Sequence, residues 1–131
     1  MIVVDTNVIA YLFLKNPHTD KARHWLATDG ERHVPLLWRS EFMNILALYM
    51  RKSMLAPKQA ITVYEQALSR LVQFEFQPNG AEVLALAARS GCTAYDCEFI
   101  ATAKALEPRL LAADKPLLKA FPRETINFAG A

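Results

Sequence analysis

The 131-residue sequence contains little cysteine and little glycine, and it has no long apolar run. Its two cysteines, Cys92 and Cys97, are separated by four residues, which fits neither a redox CxxC motif nor a zinc-ligand pair. With four glycines and no GxGxxG or Walker pattern, nucleotide-cofactor chemistry is disfavoured. No stretch approaches the roughly 18 apolar residues of a membrane span, and Asp5 interrupts the first apolar run before a signal-peptide core can form. We therefore predict a soluble, cytoplasmic protein whose cysteines are reduced packing residues.

The length and composition fit one globular domain. A chain of 131 residues is about the size of a domain with a single core. Hydrophobic residues make up 53% of the sequence, and neither a repeat nor a low-complexity run is present. We therefore predict a single domain that spans residues 1–131.

Short β-rich runs alternate with segments of helical periodicity along the chain. Strands are predicted at residues 2–4, 33–36, 72–76, 109–112 and 124–128. Helices are predicted at residues 6–15, 18–28, 37–52, 57–71, 79–89, 94–106 and 115–120. Strands separated by helices imply parallel βαβ units with right-handed crossovers. The sequence therefore predicts an α/β fold, a three-layer α/β/α sandwich around a central, mostly parallel sheet.

Four carboxylates occupy positions where charge is unusual. They end an apolar segment or lie on the apolar side of a helical pattern, and they are Asp5, Glu41, Asp96 and Asp114. Asp5 and Asp114 follow predicted strands, which places both at the carboxyl edge of the sheet. Glu41 and Asp96 lie in the first turns of predicted helices, whose amino termini stabilise anionic oxygens. We expect the four groups to converge on one site.

Three of these carboxylates also have a purely structural interpretation. Asp5 and Asp114 precede predicted helices and are good N-cap residues. Asp96 stands three residues after Thr93, an arrangement close to a capping box, although it shares the sheet-facing side of its helix with apolar residues. Glu41 has no cap partner, so the sequence favours a functional role most strongly there.

Crowded carboxylates repel one another unless a cation offsets their charge. Oxygen ligands favour Mg²⁺ or Mn²⁺ over softer metals, and such a site can support metal-assisted hydrolysis of phosphodiester bonds. Without these four of the 13 acidic residues, nine remain against 15 Lys and Arg. The rest of the surface therefore carries about +6, which suits a polyanionic substrate.

The motifs around the four carboxylates resemble those of a known family. They read IVVDTNVI at residues 2–9, SEFMNIL at 40–46, TAYDCEFI at 93–100 and LLAADKPLL at 110–118. Their order and spacing, over essentially the whole chain, resemble the PIN-domain ribonucleases and especially the small VapC-type toxins of toxin–antitoxin pairs.

The resemblance implies roles for particular residues. It implies an acidic metal site formed by Asp5, Glu41, Asp96 and Asp114. It also implies that Asn7 and Asn44 are polar supports near this site. It further implies an endoribonuclease that depends on Mg²⁺ or Mn²⁺ and acts on RNA. Such proteins are usually homodimers, and an antitoxin silences them by occluding the site with its tail.

The chain departs from the family pattern at one position. Two residues before the last acid, where these proteins often carry Thr or Ser, stands Ala112, so a hydroxyl that braces the site is missing. This favours one alternative, a catalytically weak or silent PIN-like module that binds RNA or a protein partner. Another alternative is a small metal-dependent phosphatase with Asp5 as nucleophile, although that class commonly has a second Asp where Asn7 stands. Glu98, two residues after Asp96, is expected on the surface.

The remaining candidates for chemistry are histidines and aromatic residues. The histidines have no partner Ser or Cys at a nucleophile turn, so surface or edge positions are expected for His18, His24 and His33. Five apolar residues form a strip among the early helices, and they are Tyr11, Phe13, Leu14, Trp25 and Trp38. Most of them are expected in the core, and any that remain on the surface would suit a partner helix, consistent with an antitoxin.

Overall fold

The computed structural model describes residues 1–27 and 30–130 and contains a five-stranded sheet. The strands are β1 (Ile2–Val4), β2 (Arg32–Pro35), β3 (Glu75–Phe76), β4 (Leu110–Ala112) and β5 (Thr125–Asn127). They lie in the order β3-β2-β1-β4-β5, and every neighbouring pair is parallel. Since parallel strands need crossovers, each connection carries at least one helix.

Seven α-helices are present in the described part of the chain. They are α1 (Thr6–Phe13), α2 (Thr19–Leu26), α3 (Trp38–Arg51), α4 (Pro57–Leu71), α5 (Gly80–Ser90), α6 (Ala94–Leu106) and α7 (Lys115–Ala120). Pairs of helices connect the first four strands, and α7 alone leads from β4 to β5. The end predicted at residue 28 for the second helix, with the stop at Asp29, lies outside the described residues.

Both faces of the sheet are covered, as the alternation along β1 shows. Ile2 and Val4 pack in a core with residues of α1, α2, α3 and α4. Val3 points to the other face and packs with residues of α5, α6 and α7. The strand is therefore apolar at every position because neither of its faces meets water. The predicted three-layer α/β/α sandwich with a parallel sheet is confirmed.

One predicted strand is mostly wrong. Residues 72–76 were expected to be extended, but Val72–Phe74 form a 3₁₀ turn and only Glu75–Phe76 are strand. The Val72 N–H bonds to the Leu68 carbonyl, so the backbone continues the path of α4 for another turn. The β-prone composition of this segment, with one Val and two Phe, therefore yields to helix propagation. The last strand is also shorter than predicted, because Phe128–Gly130 form a second 3₁₀ turn.

The connection between α5 and α6 determines where α6 begins. Gly91 follows α5 with φ of 74°, a left-handed conformation that glycine adopts without steric cost. Thr93 then caps α6 by accepting a hydrogen bond from the Asp96 N–H. The two cysteines of this region, Cys92 and Cys97, are free thiols, with Cys97 buried and Cys92 half-buried.

The apolar strip predicted among the early helices lies in the core or packs against it. Trp38 and Leu14 are buried, and Tyr11, Phe13 and Trp25 are half-buried. No helix in the described residues is long and apolar enough to cross a membrane.

Candidate active site

The site lies at the carboxyl ends of β1 and β4, at the centre of the sheet. From β1 the chain crosses to β2 on one side, and β4 lies on the other, so this edge is a topological switch point. Asp5 directly follows β1, and its N–H bonds to the Leu111 carbonyl at 3.2 Å, which extends the β1–β4 pairing by one bond. Asp114 lies two residues beyond β4. The parallel register therefore brings both residues to the same edge.

A cavity of about 270 Å³ opens at this edge. Its lining includes every site residue predicted from the sequence, and the full set is Asp5, Thr6, Asn7, Glu41, Asn44, Ile45, Asp96, Phe99, Asp114 and Leu117. Asn7 and Asn44 are exposed, so their amides are available to solvent and to a ligand. The three histidines do not line the cavity. The structure thus gathers acidic side chains from the β1–α1 connection, α3, α6 and the β4–α7 connection around one space.

Asp5 is the most deeply buried of the four acids, with 5% of its surface exposed. Its Oδ1 accepts a hydrogen bond from the Val8 N–H at 2.9 Å, and its Oδ2 accepts one from the Ala113 N–H at 3.0 Å. Burial raises the pKa of Asp5 from 3.8 to about 6, although both hydrogen bonds lower it, and the charges of Asp114 and Glu41 raise it further. Asp5 is therefore an N-cap of α1 and a cavity carboxylate at the same time.

Glu41 reaches the cavity from the first turn of α3. Its Oε1 accepts a hydrogen bond from the Thr6 hydroxyl at 2.7 Å, a contact between residues 35 positions apart. Burial raises the pKa of Glu41, the Thr6 hydrogen bond lowers it, and the charges of Asp96 and Glu98 raise it. The carboxylate is thus held by one donor in a region of accumulated negative charge.

Asp96 and Asp114 stand at the amino ends of α6 and α7. Burial raises the pKa of the half-buried Asp96, as does the charge of Asp114, while a hydrogen bond with Thr93 lowers it. Asp114 caps α7, and its Oδ2 accepts a hydrogen bond from the Leu117 N–H at 3.3 Å. For Asp114 the capping and site interpretations are therefore compatible, because its carboxylate caps α7 and lines the cavity. The N-cap of α6 is Thr93, and Asp96 lines the cavity from the first turn of that helix.

Sequence reasoning missed Thr6 and misplaced Glu98. Thr6 lines the cavity and is 6% exposed, and its position directly after Asp5 was the available signal. Glu98 was expected on the surface, but it is half-buried, and burial raises its own pKa. Its charge also raises the pKa of Glu41, so the two carboxylates lie close enough to interact.

The donor set suits a hard divalent cation, since the four carboxylates and two amides around the cavity offer only oxygen ligands. Burial, and to a smaller extent the charges of neighbouring acids, raise the pKa values of Asp5, Glu41 and Asp96. A bound cation would offset the accumulated negative charge. Within the described residues, however, no three Asp, Glu, His or Cys side chains form a ready-made metal-binding group. The chemistry of the site therefore fits Mg²⁺ or Mn²⁺, without a closed cage.

The fold and the site together define a class of protein, a parallel α/β/α sandwich with a carboxylate-lined cavity at a switch point. Residues 2–121 match the family model for the PIN domain, and the chain belongs to this family. The family resemblance inferred from the four motifs is thereby confirmed.

Named relatives agree with this assignment. The chain is 29% identical over 125 residues to Ribonuclease VapC3 of Pyrobaculum aerophilum, covering 92% of this chain and 95% of that protein. The fold is similar to PAE2754 of the same organism, with a TM-score of 0.77 at 22% identity over 98% of this chain and 90% of that one. It is also similar to a chain in a toxin–antitoxin complex from Klebsiella pneumoniae, with a TM-score of 0.69 at 16% identity over 98% of each chain.

Proposed function

We propose that this protein is a metal-dependent endoribonuclease and the toxin of a toxin–antitoxin pair. The observation that carries the proposal is the convergence of four carboxylates from distant parts of the chain on one cavity at the switch point. The similarity to Ribonuclease VapC3 supports RNA hydrolysis. The similarity to a chain of the Klebsiella toxin–antitoxin complex supports an antitoxin partner.

In this proposal Asp5, Glu41, Asp96 and Asp114 hold Mg²⁺ or Mn²⁺. When bound, such an ion lowers the pKa of a water molecule and balances the charge that develops on phosphate oxygens. Asp5 presents its carboxylate in a fixed orientation, because two backbone N–H groups hold its two oxygens. The exposed amides of Asn7 and Asn44 can donate hydrogen bonds to a phosphate at the mouth of the cavity.

We also propose partners for this protein and a single-domain organisation. Outside the four acids the chain carries a surplus of basic residues, which favours the approach of RNA. We propose a homodimer and a single domain over residues 1–131, with the antitoxin occluding the acidic cavity.

A second candidate is a catalytically silent PIN-like module that binds RNA or a protein. Two observations favour it. Ala112 is fully buried on β4 and supplies no hydroxyl near the site, and the described acids do not form a closed metal-binding group. A silent module that has lost its ions shows no stabilisation by Mn²⁺, whereas a ligand that prefers the native state must raise the melting temperature.

The direct test is cleavage of total cellular RNA by protein freed of any partner, with Mg²⁺, Mn²⁺ or EDTA. The Asp96→Asn variant removes one cavity carboxylate, and Asp20→Asn, also in the first turn of a helix but exposed, is the matched control. We expect discrete fragments from the parent protein and the control with metal, and none from Asp96→Asn or with EDTA. Equal cleavage by Asp96→Asn would overturn the nuclease assignment. Phosphate release from a small phosphoester without RNA cleavage would instead support a phosphatase.

A further inference from the structure

The Thr6 hydroxyl connects two parts of the site that the chain supplies separately. Thr6 is the first residue of α1, and its Oγ1 donates to Glu41 Oε1 of α3 at 2.7 Å. Both residues line the cavity. This distance is ordinary for a hydroxyl–carboxylate pair, and because the acceptor is an acid the hydrogen bond is charge-assisted when Glu41 is ionised.

The position of Thr6 is fixed from its amino-terminal side. Asp5 caps α1 through the Val8 N–H, and its own N–H bonds to the β4 carbonyl of Leu111. Thr6 is 6% exposed, and its β-branched side chain has few rotamers in a helix. The hydroxyl is therefore a donor at a defined place beside the central strands.

Glu41 lacks such constraints of its own. It is half-buried in the first turn of α3, and its side chain has several rotatable bonds that lose entropy when ordered. Asp96 and Glu98 lie close enough to repel it. In the described part of the chain, the Thr6 hydroxyl is the hydrogen-bond donor found for its carboxylate. Without this donor, repulsion would favour rotamers that point away from the other acids.

We propose that Thr6 is a positioning residue that holds the Glu41 carboxylate in the cavity, oriented to bind the divalent cation. The inference rests on the proposed function, and it assigns to Thr6 the bracing that Ala112 cannot provide. The competing explanation is that Thr6 simply ties α1 to α3, in which case its loss lowers stability and leaves metal binding unchanged.

The test compares Thr6→Val, which keeps the shape and removes the hydroxyl, with Thr6→Ser, which keeps the hydroxyl. Thr125→Val is a closely matched control, because Thr125 is also 6% exposed and its hydroxyl also donates at 2.7 Å, to the Phe121 carbonyl away from the cavity. The measurements are the Mn²⁺ dissociation constant by calorimetry, the urea midpoint, and the RNA cleavage rate at saturating metal. Glu41→Gln serves as the reference for the site itself.

We expect Thr6→Val to weaken Mn²⁺ binding about tenfold, because such a change corresponds to the loss of roughly one charge-assisted hydrogen bond. Thr6→Ser should recover most of the affinity, and Thr125→Val should lower the urea midpoint with unchanged affinity. Unchanged Mn²⁺ affinity in Thr6→Val, with an affinity loss in Glu41→Gln, would overturn the positioning role and leave the proposed function standing. Unchanged Mn²⁺ binding and cleavage in Glu41→Gln would overturn both.

Discussion

Asp5 should make the metal-free protein less stable as the pH rises through the weakly acidic range. Its pKa is raised from 3.8 to about 6 in the folded state, chiefly by burial, so the folded protein binds this proton more tightly than the unfolded chain does. Stability contributed by the protonated carboxyl is fully present below about pH 4 and is lost as the pH rises through about 6. At about 1.4 kcal/mol per pH unit, the ionised group costs about 3 kcal/mol at pH 8.

The Asp5→Asn variant isolates this contribution. Its amide oxygen can still accept from the Val8 N–H, but its NH₂ group then faces the Ala113 N–H, which leaves donors unsatisfied at a cost of about 1 kcal/mol. In EDTA at pH 8 we therefore expect the variant to be about 2 kcal/mol more stable than the parent protein. At pH 4 the advantage of removing the charge is gone, and we expect it to be about 1 kcal/mol less stable.

Urea unfolding at a series of pH values measures the difference in free energy of unfolding between Asp5→Asn and the parent protein. The exposed Asp20→Asn variant is the control, and we expect its free energy of unfolding to stay within about 0.5 kcal/mol of the parent value at each pH. Saturating Mn²⁺ should then stabilise the parent protein and leave Asp5→Asn little changed. A stability difference between Asp5→Asn and the parent that does not vary from pH 4 to pH 8 would refute the reasoning, because it would show that Asp5 titrates alike in the folded and unfolded chains.

Two further predictions concern the framework of the site. Glu75 accepts hydrogen bonds from Arg39 and Trp38 and so ties β3 to the start of α3. Its side chain is only 7% exposed, so Glu75→Gln should lower the free energy of unfolding, measured in urea, by about 2 kcal/mol. A loss no larger than that of the exposed Glu65→Gln would contradict this role. Gly91→Ala should lower the free energy of unfolding by about 1 kcal/mol, because φ is 74° at this position, and calorimetric melting measures the change. An unchanged melting temperature would show that the turn adopts another conformation.

Much of the architecture was predictable because it follows from local patterns. Apolar runs such as Ile2–Val4 and Leu110–Ala112, separated by helical periodicity, are enough to predict parallel strands buried on both faces. Where two local preferences competed, the prediction was wrong, as at Val72–Phe74, where the backbone of α4 continued into a 3₁₀ turn despite β-prone composition. The boundary between helix and strand there depends on hydrogen bonding that composition does not specify.

The positions of the acids could also be predicted from the sequence, although their hydrogen-bond donors could not. Asp5 and Asp114 follow strands, and parallel strands end at one edge, so their proximity is a consequence of topology. Whether Asp5 is a cap or a cavity residue could not be decided from the sequence, and the fold shows that it is both. Its second hydrogen bond comes from Ala113, 108 residues away, and depends on the register of β1 against β4.

The sequence by itself determined the order of elements, the parallel sandwich and the four carboxylates, because periodicity, capping residues and strand ends are local properties. Only the tertiary structure decided which donor meets which acid. The Thr6 bond to Glu41 and the approach of Glu98 to the same carboxylate depend on how α1, α3 and α6 pack on the sheet. Side-chain packing between segments 35 or more residues apart is set by the whole core, and no local pattern specifies it.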